Sequence, residues 1–188
     1  MNDFFLATNR SIAVNDIEVR QIQMKYFDTW ATHAEPIKQF LKDKNHSDEV
    51  LTELFAAHGV QVISAITCVT DLDNESLFKL ASDEQRFKEL LNAVLIVNQA
   101  YFKPEKPKRG ATKAQADEST WFDSFQFMVS MGHQHSEIME MTYGAFEQYL
   151  KSAQKNQRSQ LQYLSSVIRS AHHANAKEFK KFFEELRE

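Results

Sequence analysis

The stretch "MGHQHSEIMEMTYGAF", residues 131–146, places His133, His135, Glu137 and Glu140 close together along the chain. These are side-chain types that hold zinc, iron or manganese when three or four of them converge on one point. Their spacing argues against convergence. Gly132 before and Ser136 after put both histidines in a turn between helices, where side chains two residues apart point differently unless the chain is extended. His135 and Glu137 share that difficulty, and the adjacent His172 and His173 fall on different faces of a helix. No second histidine or cysteine cluster supplies partner spacing. The four residues read instead as polar loop and helix-cap residues, with no metal and no cofactor expected.

Other chemistries find still fewer residues. Nucleophile elbow, phosphate-binding glycine loop and dinucleotide fingerprint are all missing, and four glycines are too few to build the last two. The neighbouring carboxylates Asp83 and Glu84, or Glu184 and Glu185, read as solvated charge at helix ends. Cys68, the single cysteine, lies in the apolar run "VQVISAITCV" and reads as a small buried side chain. The expectation is therefore a protein that is not an enzyme. A net charge of −4 and a pI near 6.0 lack the clustered cationic excess of a nucleic-acid binder. The start "MNDFFLATNR" lacks a basic n-region, and no run reaches the roughly 18 apolar residues of a membrane helix. The reading is a cytoplasmic protein with no nucleic-acid and no membrane partner.

Elements must then be found to carry whatever surface does the work. Only 4 Gly and 3 Pro in 188 residues favour long helices with few turns, hence a mainly α chain. The exception is the start, where "FFLATN", "SIAVND" and "IEVRQIQM" read as two or three short strands, with turns at Asn9–Arg10 and Asn15–Asp16. From Lys25 onward Phe27, Trp30, Ala34, Ile37 and Leu41 recur at helical spacing. Ser47 followed by "DEV" predicts an N-cap, Gly59 a bend or stop, and Val60 to Val69 a fully buried helix or, as the second reading, a buried strand. Ser82 with "DEQ" predicts another helix, running through Phe87, Leu90, Leu91, Val94, Leu95 and Val97 to Phe102.

Residues 103–119, "KPEKPKRGATKAQADES", change the composition: two prolines, an excess of cations and no large apolar side chain. Such a segment stays extended and solvated because nothing in it offsets the entropy of ordering. It divides the chain into an N-terminal domain over 1–102, in which acids outnumber bases, a linker over 103–119, and a helical C-terminal domain over 120–188 with balanced charge. In the last of these, Trp121, Phe122, Phe125, Met128 and Val129 have helical spacing and Gly132 supplies a stop. A final helix begins near Thr142. Its Phe146, Leu150, Ala153, Leu161, Leu164, Ile168, Ala171, Phe179, Phe182 and Leu186 recur at three or four residues, interrupted by Gln157 and Asn175. Without Gly or Pro after Gly144, it would span roughly 66 Å at about 1.5 Å per residue. Either it breaks near "AHHAN" or it finds another chain. Phe179, Phe182, Phe183 and Leu186 lie within two turns and are read as a partner surface.

The order "STWFDSFQFMVSMGHQHSEIMEMTYGAFEQYLKSAQKNQ" resembles the T-like part of the tail assembly chaperones of long-tailed, lambda-like phages. The part before the linker, ending in "FKELLNAVLIVNQAYF", resembles their G-like part. In that family the two parts are joined at such a linker, often through programmed ribosomal frameshifting. The resemblance implies a non-enzymatic chaperone whose acidic N-terminal part coats the tape measure protein. Trp121, Phe122, Ile138, Met141, Phe146 and Tyr149 correspond to the helical part implied to meet the tail tube subunit. The family's usual proline near "HSEI" is absent here, and the final helix is longer. Two other readings stay open: an all-helical regulatory or adaptor protein that forms a homo-oligomer through its last helix, and a His/Glu metal-dependent enzyme.

Overall fold

The computed structural model describes residue 5 and residues 8–103, 120–173 and 175–185. The chain is mainly helical with one small N-terminal sheet. Strands β1 (Ile12–Val14) and β2 (Ile17–Val19) pair antiparallel, with Ile12 opposite Val19 and Val14 opposite Ile17. Asn15 and Asp16 form the two-residue connection, both at positive φ (50° and 65°). That geometry matches the right-handed twist of the strands, and Asn and Asp tolerate it better than other side chains. Two strands are described, and the only described residue in the first half of "FFLATN", Phe5, is helical rather than extended.

Helix α1 (Met24–Leu41) buries Met24, Phe27, Trp30, Ala34, Ile37 and Leu41, the stripe its spacing predicts. Helix α2 (Asp48–Thr67) packs along it and is broken at His58 (φ −135°, ψ 34°), immediately before Gly59. Ser47 occupies the N-cap, but its hydroxyl bonds no helix N–H; it and a backbone N–H hold the Glu49 carboxyl below the usual range. By length and hydropathy α2 alone among the described helices could cross a membrane. Here its Leu51, Leu54, Val62, Ile63 and Ile66 are core, and Trp30 Nε1 donates to the Ala65 carbonyl at 3.2 Å.

A short helix that the sequence reading missed, α3 (Asn74–Leu80), starts at Asp73, whose carboxylate accepts from Ser76 N. Helix α4 (Glu84–Val97) is capped by Asp83 rather than Ser82, and it stops at Asn98 before the single turn α5 (Gln99–Phe102). Asn98 explains the stop. Its buried amide accepts from Ile22 N at 2.8 Å and donates to the carbonyls of Arg20 and Val94. A helix end is thus spent on holding the extended segment 20–23 against the core.

That segment also reaches across the linker. Met24 N donates to Met141 O and Tyr143 N to Ile22 O, both at 2.8 Å, and Gln23 bridges to Thr142. Helix α6 (Trp121–Ser130) opens with a Thr120–Asp123 capping box. It closes with Gly132 at φ 99°, where Gly132 N bonds Val129 O and His133 N bonds Met128 O, the paired bonds of a Schellman stop. Helix α7 (His135–Glu140) follows, then α8 (Tyr143–His173) and α9 (Ala176–Glu185).

The packing divides the chain at Tyr149, not at the linker: Met1–Tyr149 forms one compact unit and Leu150–Glu188 another. Residues on either side of the segment 103–119 belong to one unit, because α6, α7 and the start of α8 share the core of α1. Of that segment only Lys103 belongs to the described residues. The final helical pattern breaks at "AHHAN", where Asn175 caps α9 by accepting from Lys177 N and Glu178 N.

Candidate protein-interaction surface

The histidine-rich turn is built from structural contacts. His133 packs its ring on Tyr149 and His135 on Phe125, with centroids 5.6 and 6.1 Å apart. Glu137 turns back to accept from Gln134 N as the capping-box partner of α7. Glu140 accepts from Lys25 Nζ at 2.8 and 2.9 Å, tying α7 to α1. The four side chains therefore face four different partners. Among the described residues no three His, Cys, Asp or Glu side chains are grouped closely enough to hold a metal ion.

An open cleft of about 470 Å³ lies beside this turn, lined by Asn9, Ser136, Glu137, Glu140, Met141, Ala145 and Tyr149. Its two carboxylates, Glu137 and Glu140, are those already engaged. Burial raises the Cys68 thiol above its ordinary value, so the thiolate that would make it a nucleophile is disfavoured. The Tyr101 hydroxyl, buried and donating to Glu35 at 2.6 Å, is likewise pushed far up, while Glu35 is held below the usual carboxylate range chiefly by that bond.

The aromatic residues separate into two sets. Ile138 is 0% exposed and Phe146 1%, both core residues of the first unit. The cause is the bridge at Gln23–Thr142, which draws α7 and the start of α8 onto α1. Met141 is half-buried and serves that bridge through its backbone. Trp121 is shared: its ring packs on Phe27 at 5.1 Å and near Phe146 at 6.1 Å, yet its edge stays exposed. Phe122 is 73% exposed and Tyr149 is exposed too. With Val129 and Met131 they leave apolar surface on the first unit.

The second unit has exposed apolar residues of its own. Leu161, Leu164 and Ile168 are 58%, 53% and 68% exposed, at the three- and four-residue spacing of a single stripe on α8. On α9, Phe179 and Phe183 are exposed with their rings stacked at 6.3 Å, and Phe182 is half-buried. Leu186 lies outside the described residues. The stripe of α8 was visible in sequence as periodicity, but periodicity assigns a face without saying what covers it. A scan against protein-family models found no match, and searches of curated proteins and of solved structures found none either.

Proposed function

We propose that the chain is a non-enzymatic assembly chaperone of a long-tailed bacteriophage, which covers the apolar helices of the tape measure protein and recruits tail tube subunits. The observation that carries this reading is the uncovered stripe of Leu161, Leu164 and Ile168 with Phe179 and Phe183 beyond it. Apolar side chains left in water at helical spacing suit a helix that lies on another helix or in its groove. Phe122 and Tyr149 add a second apolar area on the first unit, at positions that the family resemblance of residues 119–157 assigns to the tail tube contact. The binding is non-covalent and needs no cofactor. Tape measure proteins are long apolar helices that need cover until tube subunits replace it, and the exposed residues here supply that cover.

The test is co-expression with the tape measure protein of the same phage. The soluble fraction of the tape measure protein rises with the chain present; an unchanged soluble fraction removes the reading. The adaptor reading draws on the same α8 stripe, which could pair two copies, and sedimentation of the purified chain distinguishes it.

A further inference from the structure

The exposed stripe of α8 does not run through neutral surroundings. Residues 148–176 contain no Asp or Glu, while Lys151, Lys155, Arg158 and Arg169 all fall there. At about 100° per residue these four cations lie within roughly 60° of arc, and Leu161, Leu164 and Ile168 lie within a similar arc about a third of a turn away. Lys155, Arg158 and Arg169 are exposed, and no carboxylate within this stretch can neutralise them; Arg158 Nε donates instead to the Gln154 carbonyl at 3.2 Å. The result is an apolar seam with a basic row along one flank.

A second copy is a poor occupant of such a seam. Taking Leu161 and Ile168 as a positions and Leu164 as d, Lys151 and Arg158 fall at e. In a parallel pair e residues meet g residues, and the g positions are Ala153, Gln160 and Val167, none of them acidic. In an antiparallel pair e meets e, cation against cation. Phosphate-bearing partners would use the basic row but leave the leucines in water.

We propose that the α8 seam is a docking site for an acidic amphipathic helix of another protein, whose apolar side chains cover Leu161, Leu164 and Ile168 while its carboxylates flank Lys155, Arg158 and Arg169. This rests on the reading of the α8 stripe as a partner surface and adds the partner's charge; the two fail separately, since co-expression can succeed whatever peptide charge this helix prefers. The experiment titrates the full chain with a synthetic helical peptide carrying Leu and Ile at a and d and Glu at e and g, and with the same peptide carrying Lys for Glu. The Glu peptide binds at least about tenfold more tightly, and added salt narrows the gap. Lys155→Glu, Arg158→Glu and Arg169→Glu together invert the preference, with helix content by circular dichroism unchanged. Equal binding of both peptides, binding of neither, or tighter association with phosphatidylglycerol vesicles, duplex DNA or a second copy of the chain overturns it.

Discussion

Phe146→Ala should unfold more than the segment that contains it. The Phe146 ring is 1% exposed and packs on Phe125 and Trp121 at 5.5 and 6.1 Å. Trp121 continues to Phe27 at 5.1 Å, and Phe27 to Trp30 at 6.2 Å. Removing a buried phenyl group costs about 3–5 kcal/mol, a large share of the roughly 5–15 kcal/mol that holds a domain folded. If residues 121–149 share one core with α1, this loss reaches Trp30, which is fully buried on the other side of the linker. The assay is urea unfolding followed by Trp30 fluorescence in a Trp121→Phe background, which leaves a single tryptophan. With a denaturant slope of about 1–3 kcal/mol per molar, the Trp30 midpoint falls by about 1 M or more. A Trp30 transition that stays in place would refute the shared core and restore a domain boundary at the linker.

Other outcomes follow from the same contacts. Asn98→Ala strands the buried N–H of Ile22 and should cost about 1–3 kcal/mol, measured by the same unfolding curves. Tyr101→Phe removes the main cause of the depressed Glu35 carboxyl, whose stabilisation is present above the usual carboxylate range and lost as pH falls through it. The stability gap between this variant and the parent should therefore shrink on acidification from pH 7; a constant gap would mean the bond does not set that carboxyl. Trypsin should cut first between Lys103 and Lys113, and the two fragments should still co-elute, held by the Gln23–Thr142 bridge and the aromatic core; separation of the fragments would contradict the packing. Truncation after Asn175 should leave the melting of the first unit in place and weaken partner association; a markedly lower melting temperature would make Phe179 and Phe183 core residues.

What the sequence disclosed followed the strength of local signals. The α1 stripe, the Asn15–Asp16 turn, the Gly132 stop and the break at "AHHAN" each depend on residues close in the chain, whose spacing or conformational tolerance is readable directly. Asn98 was absorbed into a helix because an amide that binds the backbone of residues 20 and 22 has no local signature. The Gln23–Thr142 bridge is backbone to backbone between distant segments, so no side chain announces it. Its consequence, that α6 and α7 join the core of α1 and that Ile138 and Phe146 are buried there, therefore has no signal in the local sequence. Charge separated the remaining ambiguity better than hydrophobicity: the acid-free stretch 148–176 distinguishes the α8 seam from a core helix, and it was present in the composition throughout.

If the apolar residues left uncovered on α8 and α9 are where this chain meets its partner, binding must shield the backbone there. Amide hydrogen exchange, compared between the free chain and its co-purified complex with the tape measure protein and tail tube subunits, tests it most directly. Slowed exchange on complex formation should concentrate at residues 157–173 and 176–185, with Leu161→Ser, Leu164→Ser and Ile168→Ser together abolishing it. Unchanged exchange across both helices in a complex that still forms would contradict it.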